Sequence, residues 1–235
     1  MIYVMSDLHG CYNKYKEMLE KIDFKDSDTL YILGDIVDRG EQPIDILFDM
    51  LSRSNVYPII GNHEAFAVDI LKKLSVEITE ENFDNHINES LMHNLLEYQL
   101  NGGSTTISQF HKLSAAQREI VLEYLEEEFV PYDIVKLKNG NKFLLVHSGL
   151  GNFSKSKSLD EYTLEELTYM RPNYEMKYFD SDNIYIVSGH TPTLEITGKP
   201  EIYKSHNNIC IDCGAAFGGR LACLCLDTME EFYIE

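Results

Sequence analysis

A chain of 235 residues with 44% apolar and 25% charged residues can bury a full core, which excludes an extended, disordered polymer. Lys and Arg total 20 against 39 Asp and Glu, a formal net charge of −19. That surplus excludes a general role on DNA, RNA or anionic membranes, whose phosphates repel it. No apolar run approaches the ~18–20 residues of a spanning helix. Met1 leads straight into a strand-like Ile2-Tyr3-Val4-Met5, so no signal peptide is expected either. The expectation is an acidic cytoplasmic protein with no nucleic-acid or membrane partner; the sequence leaves the oligomeric state open.

Through the first third, short apolar runs alternate with helical periodicity. Residues 2–5, 29–33 and 56–60 read as strands buried on both faces, as in a parallel sheet. Between them Tyr12, Tyr15, Met18, Leu19 and Ile22 recur at helical spacing, and Ile44, Leu47, Phe48 and Leu51 do so behind Pro43. This β-α-β-α-β order implies right-handed crossovers that cover the sheet with helices. Residues 65–74, 89–100 and a stretch opening at Ser114, with Gln117 completing a capping box, read as helices. The acidic run 119–128 is explained by a solvated helix face. Asn139-Gly140 between apolar runs 133–138 and 142–147 predicts a hairpin. A short helix follows at 163–169, capped by Thr163 and Glu166. The runs 184–188, 209–212, 221–226 and 231–234 read as strands. One α/β domain over residues 1–235, with a helical insertion at about 75–130, is the expected organisation.

Cys11, Cys210, Cys213, Cys223 and Cys225 fit a reducing compartment, their odd number and low density arguing against a disulfide framework. Cys210-x-x-Cys213 and Cys223-x-Cys225 invite a zinc reading. The second pair alternates along a strand, so small buried hydrophobes are the preferred reading.

Polar clusters close five strands. They are Ser6-Asp7-Leu8-His9-Gly10, Gly34-Asp35-Ile36-Val37-Asp38-Arg39-Gly40, Gly61-Asn62-His63-Glu64, His147-Ser148-Gly149 and Ser188-Gly189-His190-Thr191. In an open α/β sheet such strand ends face one crevice. A lone Asp or His there is usually a turn former or cap; five clusters in series point to a shared site. Asp, Asn and His together suit Mn, Fe, Zn or Mg rather than a thiolate-preferring ion. His86, His93, His111 and His206 fall outside the clusters and read as surface or capping residues.

In order and spacing, Asp7-x-His9, Gly34-Asp35-x-x-Asp38-Arg39-Gly40, Gly61-Asn62-His63-Glu64, His147 and Gly189-His190 resemble the motifs of the calcineurin-like metallophosphoesterases. The pattern is most similar to the phosphoprotein phosphatase branch, bacterial and phage serine/threonine phosphatases included. It runs from Met1 to the Gly214-Ala215…Gly218-Gly219 stretch. The resemblance implies an α/β fold, a metallophosphoesterase-type β-sandwich flanked by helices. It also implies two divalent metal ions, Mn²⁺ first, with Fe, Zn, Ni or Co as alternatives. Asp7, His9 and Asp35 match the ligands of one metal; Asp35 would bridge to a second completed by Asn62, His147 and His190. Two dications against Asp7 and Asp35 leave a locally positive pocket for a phosphate dianion.

The implied chemistry is in-line attack on phosphorus by a hydroxide shared between the metals, so that Cys11 is not needed as a nucleophile. His63 is the candidate general acid, oriented by Asp38. Arg39, Arg171 and Asn62 are the candidate phosphate contacts, Arg39 suited to a bidentate grip. For Arg171 an ordinary helix-end cation is the competing reading, and for Asp38 and Arg39 a structural ion pair. Ser6 and Ser148 depart from the pattern, and altered turn geometry is expected there. Asn101-Gly102-Gly103-Ser104-Thr105 resembles an element near the substrate groove of bacterial members, but a plain interhelical loop explains it.

Three functions compete. The first is a serine/threonine protein phosphatase acting on a phosphoprotein or small phosphoester. The second is a symmetrical bis(5'-nucleosyl)-tetraphosphatase, disfavoured because such members usually lack an Asp matching Asp38. The third is a binding regulator with an idle site, which the complete ligand set argues against.

Overall fold

The computed structural model describes residues 1–80 and 88–235; His86 lies outside them. Two five-stranded sheets form its centre. The first has the order β10-β9-β1-β2-β3, built from β1 (Ile2–Met5), β2 (Thr29–Leu33), β3 (Val56–Ile59), β9 (Leu221–Cys225) and β10 (Glu231–Ile234). The second has the order β4-β5-β6-β8-β7, from β4 (Tyr132–Lys136), β5 (Lys142–Val146), β6 (Ile184–Ser188), β7 (Tyr203–Ser205) and β8 (Asn208–Cys210). The predicted β-α-β-α-β start is present, with β1, β2 and β3 parallel. Strands β5, β6 and β8 are likewise parallel, and antiparallel neighbours close both sheets.

Alternation of side chains explains why these strands read as continuous apolar runs. Val4, Leu33, Ile59 and Leu224 point inward and meet Phe143, Leu145, Val187 and Ile209 of the facing sheet. Their neighbours Tyr3, Met5, Leu30 and Ile32 point outward and are covered by helices. On the far side Leu144, Val146 and Ile186 pack under Leu150, Tyr162 and Leu167. Each central strand is therefore buried on both faces. This is the helix-flanked β-sandwich that the motifs implied.

The helices are α1 (Tyr12–Lys21), α2 (Pro43–Leu51), α3 (Asn62–Ser75), α4 (Glu89–Tyr98), α5 (Ser104–Lys112), α6 (Ala115–Glu127), α7 (Leu164–Thr168) and α8 (Thr193–Thr197). Helix α6 has the predicted Ser114–Gln117 capping box and α7 the Thr163–Glu166 box. Helix α3 begins at Asn62 rather than at 65, because Gly61 is its cap and Glu64 folds back on the Gly61 N–H. A kinked turn, Gln99–Gly103, with Gly102 at φ 104°, joins α4 to α5. Strand β7 escaped prediction because Tyr203-Lys204-Ser205 is short and only partly covered.

The cysteines behave as the small hydrophobes expected. All five are free, and Cys223 and Cys225 sit on the outer face of β9 among core residues. Burial pushes the thiols of Cys210 and Cys213 up to about 12. No helix among the described residues is long and apolar enough to cross a membrane.

Candidate metal centre and its surroundings

The strand-end clusters converge where the two sheets meet. At these turns the backbone leaves its ordinary conformations: Asp7, His9, Asp35, Asp38, Arg39 and His190 all have φ between 40° and 71°. Each such non-glycine residue costs of order 1 kcal/mol or more, and such strain concentrates at functional sites. It turns successive side chains from both sheets toward one point.

Two sets of donor atoms gather there, His9, Asp35 and His63 in one, Asp35, His147 and His190 in the other, each within 4.8 Å of one another. Asp35 belongs to both. Its Oδ2 lies 3.4 Å from His9 Nε2 and its Oδ1 3.3 Å from His147 Nε2, so each oxygen faces one set. His147 Nε2 also lies 3.0 Å from Asn62 Oδ1. Donors about 2 Å from a common ion are spaced about 3 Å apart, so Asp35, Asn62 and His147 fit one coordination shell.

The histidine rings are oriented from behind. His9 Nδ1 donates to Val37 O at 2.9 Å and His147 Nδ1 to Leu33 O at 2.6 Å. A carbonyl can only accept, so each Nδ1 carries a proton and each Nε2 faces inward, the usual support of a metal-binding imidazole. His190 is held the other way, Nε2 donating to Tyr169 O at 3.1 Å, which leaves Nδ1 free. The donor set and its support fit a pair of divalent cations.

The local charges agree. Burial works against ionising Asp35, but His147 and His63 hold its carboxyl well below the usual range. Burial, with Arg39 and His63 nearby, lowers His9 to about 3, keeping it the neutral imidazole that ligation needs. His147 differs: although buried, it is raised to about 10 by Asp35, so a bound cation would have to displace the proton from its Nε2. Burial and the Asp212 charge push Asp7 well above its ordinary value. The Asp7 carboxylate accepts from the His190 N–H, 3.0 Å from Oδ2, and from Ser6 Oγ. It lies on the floor of the site but outside both donor sets.

Next to this centre, His63 Nδ1 donates to Asp38 Oδ2 at 2.6 Å. Burial opposes charge on His63, yet Asp35 and Asp38 raise its pKa above the ordinary value. Arg39 reaches over both His9 and His63, its Nη2 2.9 Å from His63 Nε2 and its Nη1 against His9 Nε2. Arg171 lines the same cleft of about 250 Å³ and pairs with Glu195 at 2.8 Å.

Several residues here escaped the sequence analysis. Buried Glu64 accepts the N–H groups of Asp35, Ile36, Val37 and Gly61, binding the start of α3 to the loop after β2. Its spacing from Gly61 is a capping-box signal. Asp212, raised to about 6 by burial and Asp35, also lines the cleft; Asp212-Cys213-Gly214 repeats the strand-end Asp-Gly habit. Tyr98 OH and Thr106 Oγ1 both donate to Asp38 Oδ1, Thr106 at 2.6 Å. The Asn101-Gly102-Gly103 element is more than a plain connector. The Gly102 carbonyl accepts the Arg39 N–H at 3.0 Å, and a side chain on Gly102 would strike Arg39 Cγ at 2.6 Å.

Comparison with known proteins agrees with this architecture. The asymmetrical bis(5'-nucleosyl)-tetraphosphatase PrpE of Halalkalibacterium halodurans is 23% identical over 253 residues, covering 97% of this chain and 90% of the relative. The symmetrical bis(5'-nucleosyl)-tetraphosphatase of Proteus mirabilis is 22% identical, covering 94% and 93%. Among solved structures, a candidate diadenosine tetraphosphatase superposes with a TM-score of 0.64 at 20% identity, over 99% of this chain and 92% of that one. A serine/threonine protein phosphatase from Saccharomyces cerevisiae shares the fold with a TM-score of 0.57 at 14% identity, over 94% and 71%. The family model for calcineurin-like phosphoesterases matches residues 1–217, and with that match spanning every cluster of the site, this chain belongs to the calcineurin-like phosphoesterase family.

Proposed function

We propose that this protein is a metal-dependent hydrolase of dinucleoside polyphosphates, cleaving a phosphoanhydride bond with water. The observation that carries the hydrolytic part is Asp35 presenting one oxygen to each of two donor sets beneath Arg39. The substrate class is supported by tetraphosphatase relatives that align over almost their whole length. They reverse the order predicted from sequence, where the protein phosphatase stood first.

His9, Asp35, Asn62, His147 and His190 are the residues that would hold two divalent cations, with Asp7 beside them. Such cations supply charge neutralisation at phosphorus and a lowered pKa for water. Arg39 and Arg171 grip non-bridging phosphate oxygens. His63, its charged form favoured by Asp35 and Asp38, delivers a proton to the departing oxygen. Asp38 fixes the ring so that Nε2 faces the cleft.

A second reading, phosphomonoester hydrolysis on phosphoserine or phosphothreonine, is favoured by the 2.6 Å Asp38–His63 contact. Assays with Mn²⁺ separate the two. Cleavage of diadenosine tetraphosphate well above phosphopeptide turnover is expected, with products separated by chromatography. Phosphopeptide turnover without dinucleotide cleavage would overturn the first reading in favour of the second.

A further inference from the structure

Phe217 is 60% exposed and lines the charged, strained site. It ends a single 3₁₀ turn, Ala215–Phe217, bounded by Gly214 at φ 76° and Gly218 at φ 78°. Both glycines take the left-handed conformation, which lets the chain leave the sheet and return within a few residues. Lys14 of α1 pins this excursion, its Nζ donating to Ala215 O at 3.2 Å and Gly219 O at 2.9 Å. The ring is thus held out at the rim by a fixed backbone. Its centroid lies 4.8 Å from Arg39 Cζ and 6.5 Å from the His9 ring. The guanidinium covers part of the ring, while much of it stays open to solvent.

The cleft below holds about 250 Å³, less than the ~300–1,000 Å³ of pockets that engulf a drug-sized ligand. It suits the reacting phosphates and leaves the remainder of a nucleotide at the rim. A base joined through its ribose to a phosphate on Arg39 meets Phe217 there. Every base has a flat π-face, and stacking on an aromatic side chain adds affinity without reading base identity.

We propose that Phe217 is a stacking platform for the base of a nucleotide whose phosphates are gripped by Arg39. This deepens the dinucleoside polyphosphate reading and rests on it for the natural ligand. Calorimetric titration of the Mn²⁺-containing protein with ADP and with inorganic phosphate tests the platform without catalysis. Phe217→Ala lowers the ratio of ADP to phosphate affinity about tenfold or more. Phe217→Leu, which keeps apolar bulk without a π-face, behaves like the alanine variant, whereas Phe217→Trp retains the wild-type ratio. Equal ratios in wild type and Phe217→Ala overturn the platform, as does wild-type protein that binds ADP no more tightly than phosphate. Parallel assays with diadenosine tetraphosphate keep the two ideas apart. A Phe217-dependent ADP ratio without dinucleotide cleavage sinks the hydrolase reading and leaves the platform standing. Cleavage with a Phe217-independent ratio does the reverse.

Discussion

His63 is held at both ring nitrogens, by Asp38 on one side and Arg39 on the other, and the competition between them sets its role. The carboxylates of Asp35 and Asp38 favour the charged ring, while Arg39 and burial oppose it; the acids prevail and its pKa rises. A ring whose charged form is favoured in this way suits proton donation rather than ligation once substrate draws Arg39, which can only donate, away from Nε2. His63→Asn is therefore expected to lower turnover by ~10²–10⁴-fold, most for poor leaving groups, while elemental analysis finds the wild-type metal content. Equal losses across leaving groups would argue that His63 serves another purpose.

The helices between β3 and β4 supply what the sandwich alone lacks. Helix α4 ends in Tyr98 and α5 carries Thr106, and both hydroxyls meet the Asp38 oxygen that faces away from His63. Asp38 is thus gripped from two elements far away in the chain. Tyr98→Phe removes one buried hydrogen bond worth about 1–2 kcal/mol. If that energy positions Asp38, kcat falls roughly tenfold with little change in KM; a change confined to melting temperature would assign Tyr98 a structural role alone. A comparable fastening joins α1 to α2, where Asp49 accepts from Tyr15 at 2.9 Å, Lys16 at 2.7 Å and Arg53 at 2.6 Å. Burial raises the Asp49 pKa, but these partners outweigh it and hold the carboxyl below its ordinary value. A depressed carboxyl stabilises the fold at all pH values above its unfolded pKa, near 3.9. Asp49→Asn is expected to cost about 1–2 kcal/mol in urea unfolding. That gap stays flat from pH 7 to about 4.5 and closes only as the pH falls through the folded-state value.

At the scale of the whole molecule, a net charge of −19 surrounds a site that must accept polyanions. Asp35 and Asp212 add buried negative charge at its floor, and Asp7, whose raised pKa disfavours ionisation, adds more when it ionises; Arg39 and Arg171 offset part of it. Divalent cations relieve the remainder, so folding and metal binding are linked. Free Mn²⁺ at a hundred times its dissociation constant stabilises by about 2.7 kcal/mol per site. For a chain of this length that raises the melting temperature by roughly 5–10 °C, and a chelator reverses it. An unchanged melting temperature on adding Mn²⁺, Zn²⁺, Ni²⁺ or Co²⁺ would contradict the metal centre.

What the sequence by itself determined is whatever local chemistry encodes. Doubly buried strands declare themselves as apolar runs, and the Asp-x-His, Gly-Asp and Gly-Asn-His-Glu clusters fall at their ends, where turns expose side chains. Those two regularities were enough for the parallel β-α-β-α-β start and the clusters around Asp35, while the two-sheet sandwich came from the resemblance those clusters carry. Tertiary structure alone decided which oxygen of Asp35 faces which histidine, and that the Asp7 carboxylate turns to the His190 N–H. It also decided that Asn101-Gly102-Gly103 backs Arg39 rather than merely joining two helices, and that Phe217 stands at the rim. Each of these depends on contacts between segments tens to hundreds of residues apart. Such contacts leave no periodicity or spacing in the chain, because they are set by how the packed elements close on one another.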